Sequence, residues 1–334
     1  MIDKQVYTMK DVARMAGVTQ PTVSHVINGT ASISKEVSEK VLEAIRKLNY
    51  RPNELARGLK TNTSKTIGIV TPDITNSYYA CIAKEIEILL VEKGYIAFLS
   101  NTDYNRASEQ NVVDKLLRYN VDGILILCEF LNREPLKHLE SYGVPAVFLD
   151  DGPQERGGCM ISTDNEKGGY LAAKHLIDRG HRRIAYLGEK MSLHSLRMRY
   201  EGYRKALAES GISADEDLMI LDNDTVYNFG KGIKYSESML AKKPDAVFAS
   251  TDMIAIGFMR ACANAGIKIP DDIAIVGYDN IPLAALTMPS LSTITQSVED
   301  IAANAVEQLF LQINNQGYEK CVVLEPELVI RNTT

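Results

Sequence analysis

The chain has no tryptophan, only five cysteines among 334 residues, and no uncharged apolar run near the ~18 residues that a membrane helix needs. Cys81, Cys128, Cys159, Cys262 and Cys321 are scattered, odd in number and never paired as CxxC. That excludes a disulfide or zinc framework and suits buried thiols in a reducing compartment. The opening MIDKQVYTMKDVA lacks the apolar stretch of a secretion signal, so the expected location is the cytoplasm, without membrane association. Enzyme signatures are missing as well. No GxGxxG follows the first strand-like run, and there is no GxxxxGK[ST], HExxH or GxSxG. The five histidines (His25, His138, His175, His181, His194) show no metal spacing, and the DNDTV run from Asp222 fails the EF-hand pattern. No metal or cofactor is expected, and no acid/base pair stands out for catalysis.

What remains is the composition of a folded globular protein, 45% hydrophobic and 24% charged, long enough for two or three domains. Its net charge of -6 is unevenly spread. Residues 1–60 hold ten Lys and Arg against six Asp and Glu, leaving twenty-seven against thirty-seven for residues 61–334. Two modules with different partners follow from that asymmetry.

In the first module Thr8 and Asp11 form a helix-start pair for a helix over about 9–16, in which the Thr8 hydroxyl can accept an amide. Gly17-Val18 supplies a turn, and Thr19 caps a second helix reaching Asn28, with Pro21 in its first turn. Val23, Val26 and Ile27 share the apolar face; Gln20, Pro21, Ser24, His25 and Asn28 share the other. Ser34 caps a third helix with a Val37, Val41, Ile45, Leu48 stripe. Helix, tight turn, helix is the arrangement that lays its second helix in the DNA major groove, where Gln, His and Ser reach base edges. Thr8, Thr19 and Tyr50 are the expected phosphate partners by type and position. The same pattern also fits any small bundle with a polar outer face.

Residues 51–60 make about two helical turns, too short to be stable alone in water. Leu55 and Leu59 share one face, so two copies could pack and wedge a leucine into a minor groove, or the pair could tuck against the next domain. From Thr66 onward TIGIVTP, YIAFLSN, DGILILC, PAVFLD, RIAYLG, DAVFAS and IAIVGYD alternate with amphipathic stretches, the pattern of parallel sheets covered on both faces. About a dozen strands and a break near Cys159 to Asp164 indicate two successive doubly wound lobes. Ligands in such folds sit beyond the carboxyl ends of the strands. Those ends carry Tyr78 and Tyr79, Asp150, Arg199, Thr251 and Asp279. An Arg and an Asp facing one cleft can fork onto vicinal hydroxyls, while any single one of these residues can equally be a helix cap.

MKDVARMAGVTQPTVSHVING followed by VLEAIRKLNYRPNELARGL resembles the headpiece of the LacI/GalR family of bacterial transcription regulators. The later R-x-x-G-Y (Arg199 to Tyr203) and G-Y-D (Gly277 to Asp279) resemble that family's periplasmic-binding-protein-like effector domain. The resemblance implies an α/β chain: a helix-turn-helix headpiece over 1–50, a hinge helix and linker over 51–65, and a two-lobed effector and dimerisation domain over 66–334. Its N-lobe would take about 66–161 plus 297–316, and its C-lobe about 162–290 plus 317–330. Operator contacts carry over to Thr19, Gln20, Pro21, Ser24, His25 and Asn28, with Ala56, Leu59 and Lys60 in the hinge and Leu59 as the wedge. Effector contacts carry over to Tyr78, Tyr79, Arg199, Thr251, Asp279 and Gln296. The implied function is repression of carbohydrate-related genes by a homodimer on a pseudo-palindromic double-stranded operator, controlled by a sugar or sugar phosphate. Thr251 stands where sugar binders often carry Asn, and Thr225 where some members carry a stacking aromatic. A sugar-binding module or a carbohydrate enzyme without a DNA role is the alternative.

Overall fold

In the computed structural model, which describes residues 7–50, 63–127, 134–149, 158–189, 193–222 and 229–334, the chain divides into two compact units, Met1–Ser64 and Lys65–Thr334. The first opens at Thr8, whose N–H and hydroxyl both donate to Asp11 Oδ2 at 2.9 and 2.7 Å. The hydroxyl thus gives its proton to the carboxylate, and Thr8 and Asp11 together complete the capping box that the pair suggests. These bonds hold the Asp11 carboxyl below its ordinary pKa.

Helix α1 (Met9–Ala16) ends at Gly17, at φ 66, in the left-handed region that an L side chain enters at a cost of roughly 1–2 kcal/mol. Helix α2 (Gln20–Asn28) starts from Thr19, whose Oγ1 accepts the Thr22 N–H at 3.4 Å. Helix α3 (Lys35–Leu48) starts from Ser34, whose Oγ accepts the Val37 N–H at 3.4 Å. Val12, Ala13, Val23, Val41, Ala44 and Leu48 close the core between the three helices, with Val26, Ile27, Ile45 and Tyr50 packed against it.

The second unit alternates strand and helix: β1 (Thr66–Thr71), α4 (Ser77–Glu92), β2 (Ile96–Asn101), α5 (Arg106–Arg118), β3 (Gly123–Ile126), α6 (Glu134–Tyr142), β4 (Ala146–Leu149) and β5 (Cys159–Thr163). Then come α7 (Asn165–Asp178), β6 (Ile184–Glu189), α8 (His194–Glu209), β7 (Met219–Asp222), α9 (Phe229–Leu240), β8 (Ala246–Ala249) and α10 (Asp252–Asn264). Last are β9 (Ala274–Asp279), α11 (Pro282–Leu286), β10 (Ser292–Thr295), α12 (Val298–Ile313), β11 (Cys321–Leu324) and β12 (Glu327–Val329). Two sheets result, in the orders β11-β5-β4-β3-β1-β2 and β12-β10-β9-β8-β6-β7, parallel except where β12 runs against β10. Among the described residues, no helix is long and apolar enough to cross a membrane.

The division between lobes differs from the expected one near the C-terminus. Residues 317–330 were assigned to the second lobe, yet β11 pairs with β5 in the first sheet, Cys321 opposite Met160 and Leu324 opposite Thr163, and only β12 joins the second. Helix α12 packs on α4 and the first sheet, so the short connection after it leads to that sheet's open edge. The second lobe also extends past residue 290 to include β10. The chain therefore crosses between lobes after β5, after β10 and after β11.

One helix pair sets the geometry of the second lobe. A Cβ on Gly202 would overlap the carbonyl oxygen of Glu166, and one on Gly169 would overlap that of Arg199. Helices α7 and α8 thus meet backbone to backbone, which only glycine permits at both positions. Forcing a methyl group into such a crossing costs ~1–3 kcal/mol. Gly202→Ala is therefore expected to lower the urea midpoint of the effector unit by an amount equivalent to ~2 kcal/mol. An unchanged midpoint would show that the two helices can part freely.

Candidate DNA-reading face and effector site

The outer face of α2 carries the expected readers. Thr19, Gln20, Pro21 and His25 are exposed and Ser24 is half-buried. His25 Nδ1 lies 2.9 Å from Thr30 Oγ1, which fixes the ring and leaves its Nε2 edge directed away from that contact. Asn28 is turned inward instead: its Nδ2 donates to Ser24 O at 2.8 Å and to Ser24 Oγ at 3.2 Å. Reading a base through that amide nitrogen would compete with these local bonds, the usual competition for an Asn near a helix end. The Thr8 hydroxyl proton is engaged by Asp11 in the same way, and Tyr50 is half-buried, its phenol pKa raised by that burial. Ala56, Leu59 and Lys60, with Asp150 and Thr225, lie outside the described residues.

In the effector unit the structure brings Arg199, Asp279 and Gln296 together. Arg199, on α8, is only 3% exposed. Its Nε donates to Asn165 Oδ1 at 2.9 Å, and one terminal nitrogen donates to Ser250 O at 2.7 Å and Asp279 Oδ1 at 3.2 Å. The guanidinium also lies 3.7 Å from the centre of the Tyr278 ring, a cation–π contact. Gln296 Nε2 donates to the same Asp279 oxygen at 2.9 Å, while its Oε1, also buried, has no hydrogen-bond partner among the described residues. Thr251 follows the Ser250 carbonyl and caps α10, accepting the Ile254 N–H at 3.4 Å. Tyr78 and Tyr79 lie on α4, in the first lobe. Both are buried in the apolar cluster, with ring centres 5.3 Å apart and planes tilted by 57°, so they form no parallel sandwich for a ligand.

Sequence reading missed the residues that hold the site. Asn165 anchors the Arg199 fork, and its position after a strand made it look like an ordinary cap. Asp252 is fully buried and looked like a first-turn helix acid. Its Oδ1 accepts the Thr293 hydroxyl at 2.6 Å and its Oδ2 accepts the Ile281 N–H at 2.9 Å. Those bonds brace a turn in which Asp279 (φ 107) and Asn280 (φ 52) both lie in the left-handed region, conformations that persist only where surroundings enforce them. Arg331 completes the brace by donating to Asn280 Oδ1 at 2.6 Å.

Burial first, and then the nearby Asp279 charge, push the Asp252 carboxyl well above its usual pKa. The folded chain thus holds this proton more tightly than the unfolded chain. The site's contribution to stability is greatest in acid and declines as pH rises from the unfolded value, about 3.9, through the raised folded value. Asn at this position keeps an acceptor for Ile281 and can donate to Thr293 Oγ1. Asp252→Asn is therefore expected to raise the thermal midpoint at neutral pH and to flatten its decline with pH. Parallel midpoint curves for the two chains across pH 4–8 would contradict this reading.

Comparison with known proteins agrees with both halves of this description. Residues 8–53 match the model of bacterial regulatory proteins of the lacI family, and residues 173–334 match that of the periplasmic binding protein-like domain. The HTH-type transcriptional repressor PurR of Histophilus somni (strain 129Pt) is 38% identical over 98% of this chain and 98% of its own. Among solved structures, the Lac repressor dimer bound to operator and the anti-inducer ONPF is 30% identical, with a TM-score of 0.88 over 99% of each chain. The complex of the transcriptional regulator CelR with cellobiose is 29% identical, with a TM-score of 0.73 over 98% of this chain and 100% of that one. The chain belongs to the lacI family of bacterial regulatory proteins, as a helix-turn-helix transcriptional repressor with a periplasmic-binding-protein-like effector domain, and not to an enzyme family.

Proposed function

We propose that the chain represses carbohydrate-related genes as a homodimer on a pseudo-palindromic operator, and that a sugar or sugar phosphate held by Arg199, Thr251, Asp279 and Gln296 switches it. The observation that carries the effector class is the buried Arg199–Asp279 pair joined by Gln296. Each sugar hydroxyl donates one hydrogen bond and accepts others. A guanidinium beside a carboxylate, with an amide oxygen that has no hydrogen-bond partner among the described residues, offers both donors and acceptors to vicinal hydroxyls. The cellobiose bound by the similar CelR chain supports this class. Kinship with the PurR repressors favours a purine as the second reading.

The homodimer is supported by the apolar surface that the fold leaves uncovered. Ile96, Phe98 and Leu99 on the sheet-edge strand β2 are exposed, as are Ile88 and Val91 on α4. In the second lobe Leu286 is 78% exposed and Met288 99%. An unpaired edge strand with apolar side chains is a liability unless another chain covers it. The similar Lac repressor was solved as a dimer on its operator. Within such a dimer we assign residues 51–65 the role of hinge and linker, with Ala56, Leu59 and Lys60 as minor-groove contacts and Leu59 as the wedge. Two headpieces then read two half-sites through Gln20, Ser24 and His25. Effector binding biases this arrangement by a coupling of ~1–3 kcal/mol.

Thermal unfolding against sugars, sugar phosphates and purines tests the proposal. A ligand at 100 times its dissociation constant adds ~2.7 kcal/mol to the unit that binds it. One sugar or sugar phosphate is expected to raise the effector-unit midpoint, and Asp279→Ala to abolish that shift while operator binding persists. A hit confined to purines would transfer the site to the second reading. Stabilisation that survives Asp279→Ala would place the pocket elsewhere.

A further inference from the structure

The loop between β2 and α5 is strained and stiff at once. Asp103 (φ 53) and Tyr104 (φ 51) are consecutive non-glycine residues in the left-handed region. Both ends of the loop are fixed. The Thr102 N–H donates to Thr71 O at 3.0 Å and the Asn105 N–H to Thr102 O at 3.0 Å. The Asn105 side chain caps α5 by accepting the Ala107 and Ser108 N–H groups at 2.9 and 3.1 Å. Such strain survives only where the surroundings repay it, and it concentrates at functional elements. Here the return comes from the other lobe. The Tyr104 ring is 8% exposed and forms a small separate cluster with Leu193 and Leu196, each 5% exposed, at the start of α8.

We infer that Tyr104, Leu193 and Leu196 form an interlobe clasp that holds the two lobes of the effector domain together. Leu196 and Arg199 are three residues apart on α8 and therefore share one face of that helix. The same helix is gripped by the first lobe at Leu196 and holds its polar site at Arg199. Glycine-mediated packing against α7 makes the helix a rigid lever rather than a flexible segment. A ligand that pulls on Arg199 must work with or against the Tyr104 contact, so the clasp sets how readily the lobes rearrange.

Hydrogen–deuterium exchange on the full, effector-free chain tests this by asking whether each variant is felt in the opposite lobe. Tyr104→Gly removes the ring and relaxes the left-handed backbone, so loss of the clasp is not confused with added strain. It is expected to speed exchange at the start of α8, over residues 197–201, about tenfold or more. Leu196→Ala is expected to do the same over residues 104–108 in the first lobe, and Tyr104→Phe to keep the parent rates. Faster exchange confined to the lobe that carries the substitution would overturn the clasp. Should Leu196→Ala fail to fold, the Tyr104→Gly measurement decides alone, because its site is a loop of the other lobe.

Discussion

Burying a guanidinium is the constraint on which the effector unit is built. An isolated charge taken out of water costs several kcal/mol even after relaxation, and that cost is offset only by close, well-directed partners. Arg199 meets it with Asn165, the Ser250 carbonyl, Asp279 and the face of Tyr278. Those partners come from α7, the end of β8 and the end of β9. The ion pair can therefore form only when the second lobe is fully assembled. Removing one partner leaves the other charge buried and unpaired, a situation that typically costs ~3–5 kcal/mol in proteins.

Around that pair the lobe is organised from the inside out. Glycines at the α7–α8 crossing bring the Arg199 backbone against Gly169. A buried Asp252 and Arg331 hold Asp279 and Asn280 in a backbone conformation they would not choose alone. Three chain crossings tie this lobe to its neighbour, and the last sends only β12 across after β11 has closed the first sheet. The polar site is consequently rigid within its lobe, and adjustment falls to the relation between lobes.

Much of this was legible in the sequence because it rests on local rules. The Thr19 cap, Pro21 and the Gly17 turn specify the headpiece helices within a few residues, and alternating apolar runs announce two parallel sheets. Arg199 and Asp279 were visible as charged residues at strand and helix ends. What escaped depends on contacts distant in sequence. Asn165 and Asp252 carry the signature of routine helix caps, and nothing in their neighbourhood reveals that one meets Arg199 and the other the Asp279 turn. CVVLEPELVI reads as one run, and only the Glu-Pro step hints that its halves belong to different sheets. The burial of Tyr78 and Tyr79 in an apolar cluster likewise cannot be read from their spacing. The bonds of Asn28 to Ser24 also leave no trace in composition.

The central claim is that one domain links an effector site to an operator-reading headpiece, and linkage is reciprocal by thermodynamic necessity. The most direct measurement is the effector's dissociation constant on the full chain, free and saturated with operator, beside the operator's dissociation constant with and without effector. The account predicts that the two ratios agree and differ from one by a factor of about 5–150, the usual range of such couplings. An effector that binds with the same affinity whether or not operator is present would contradict it.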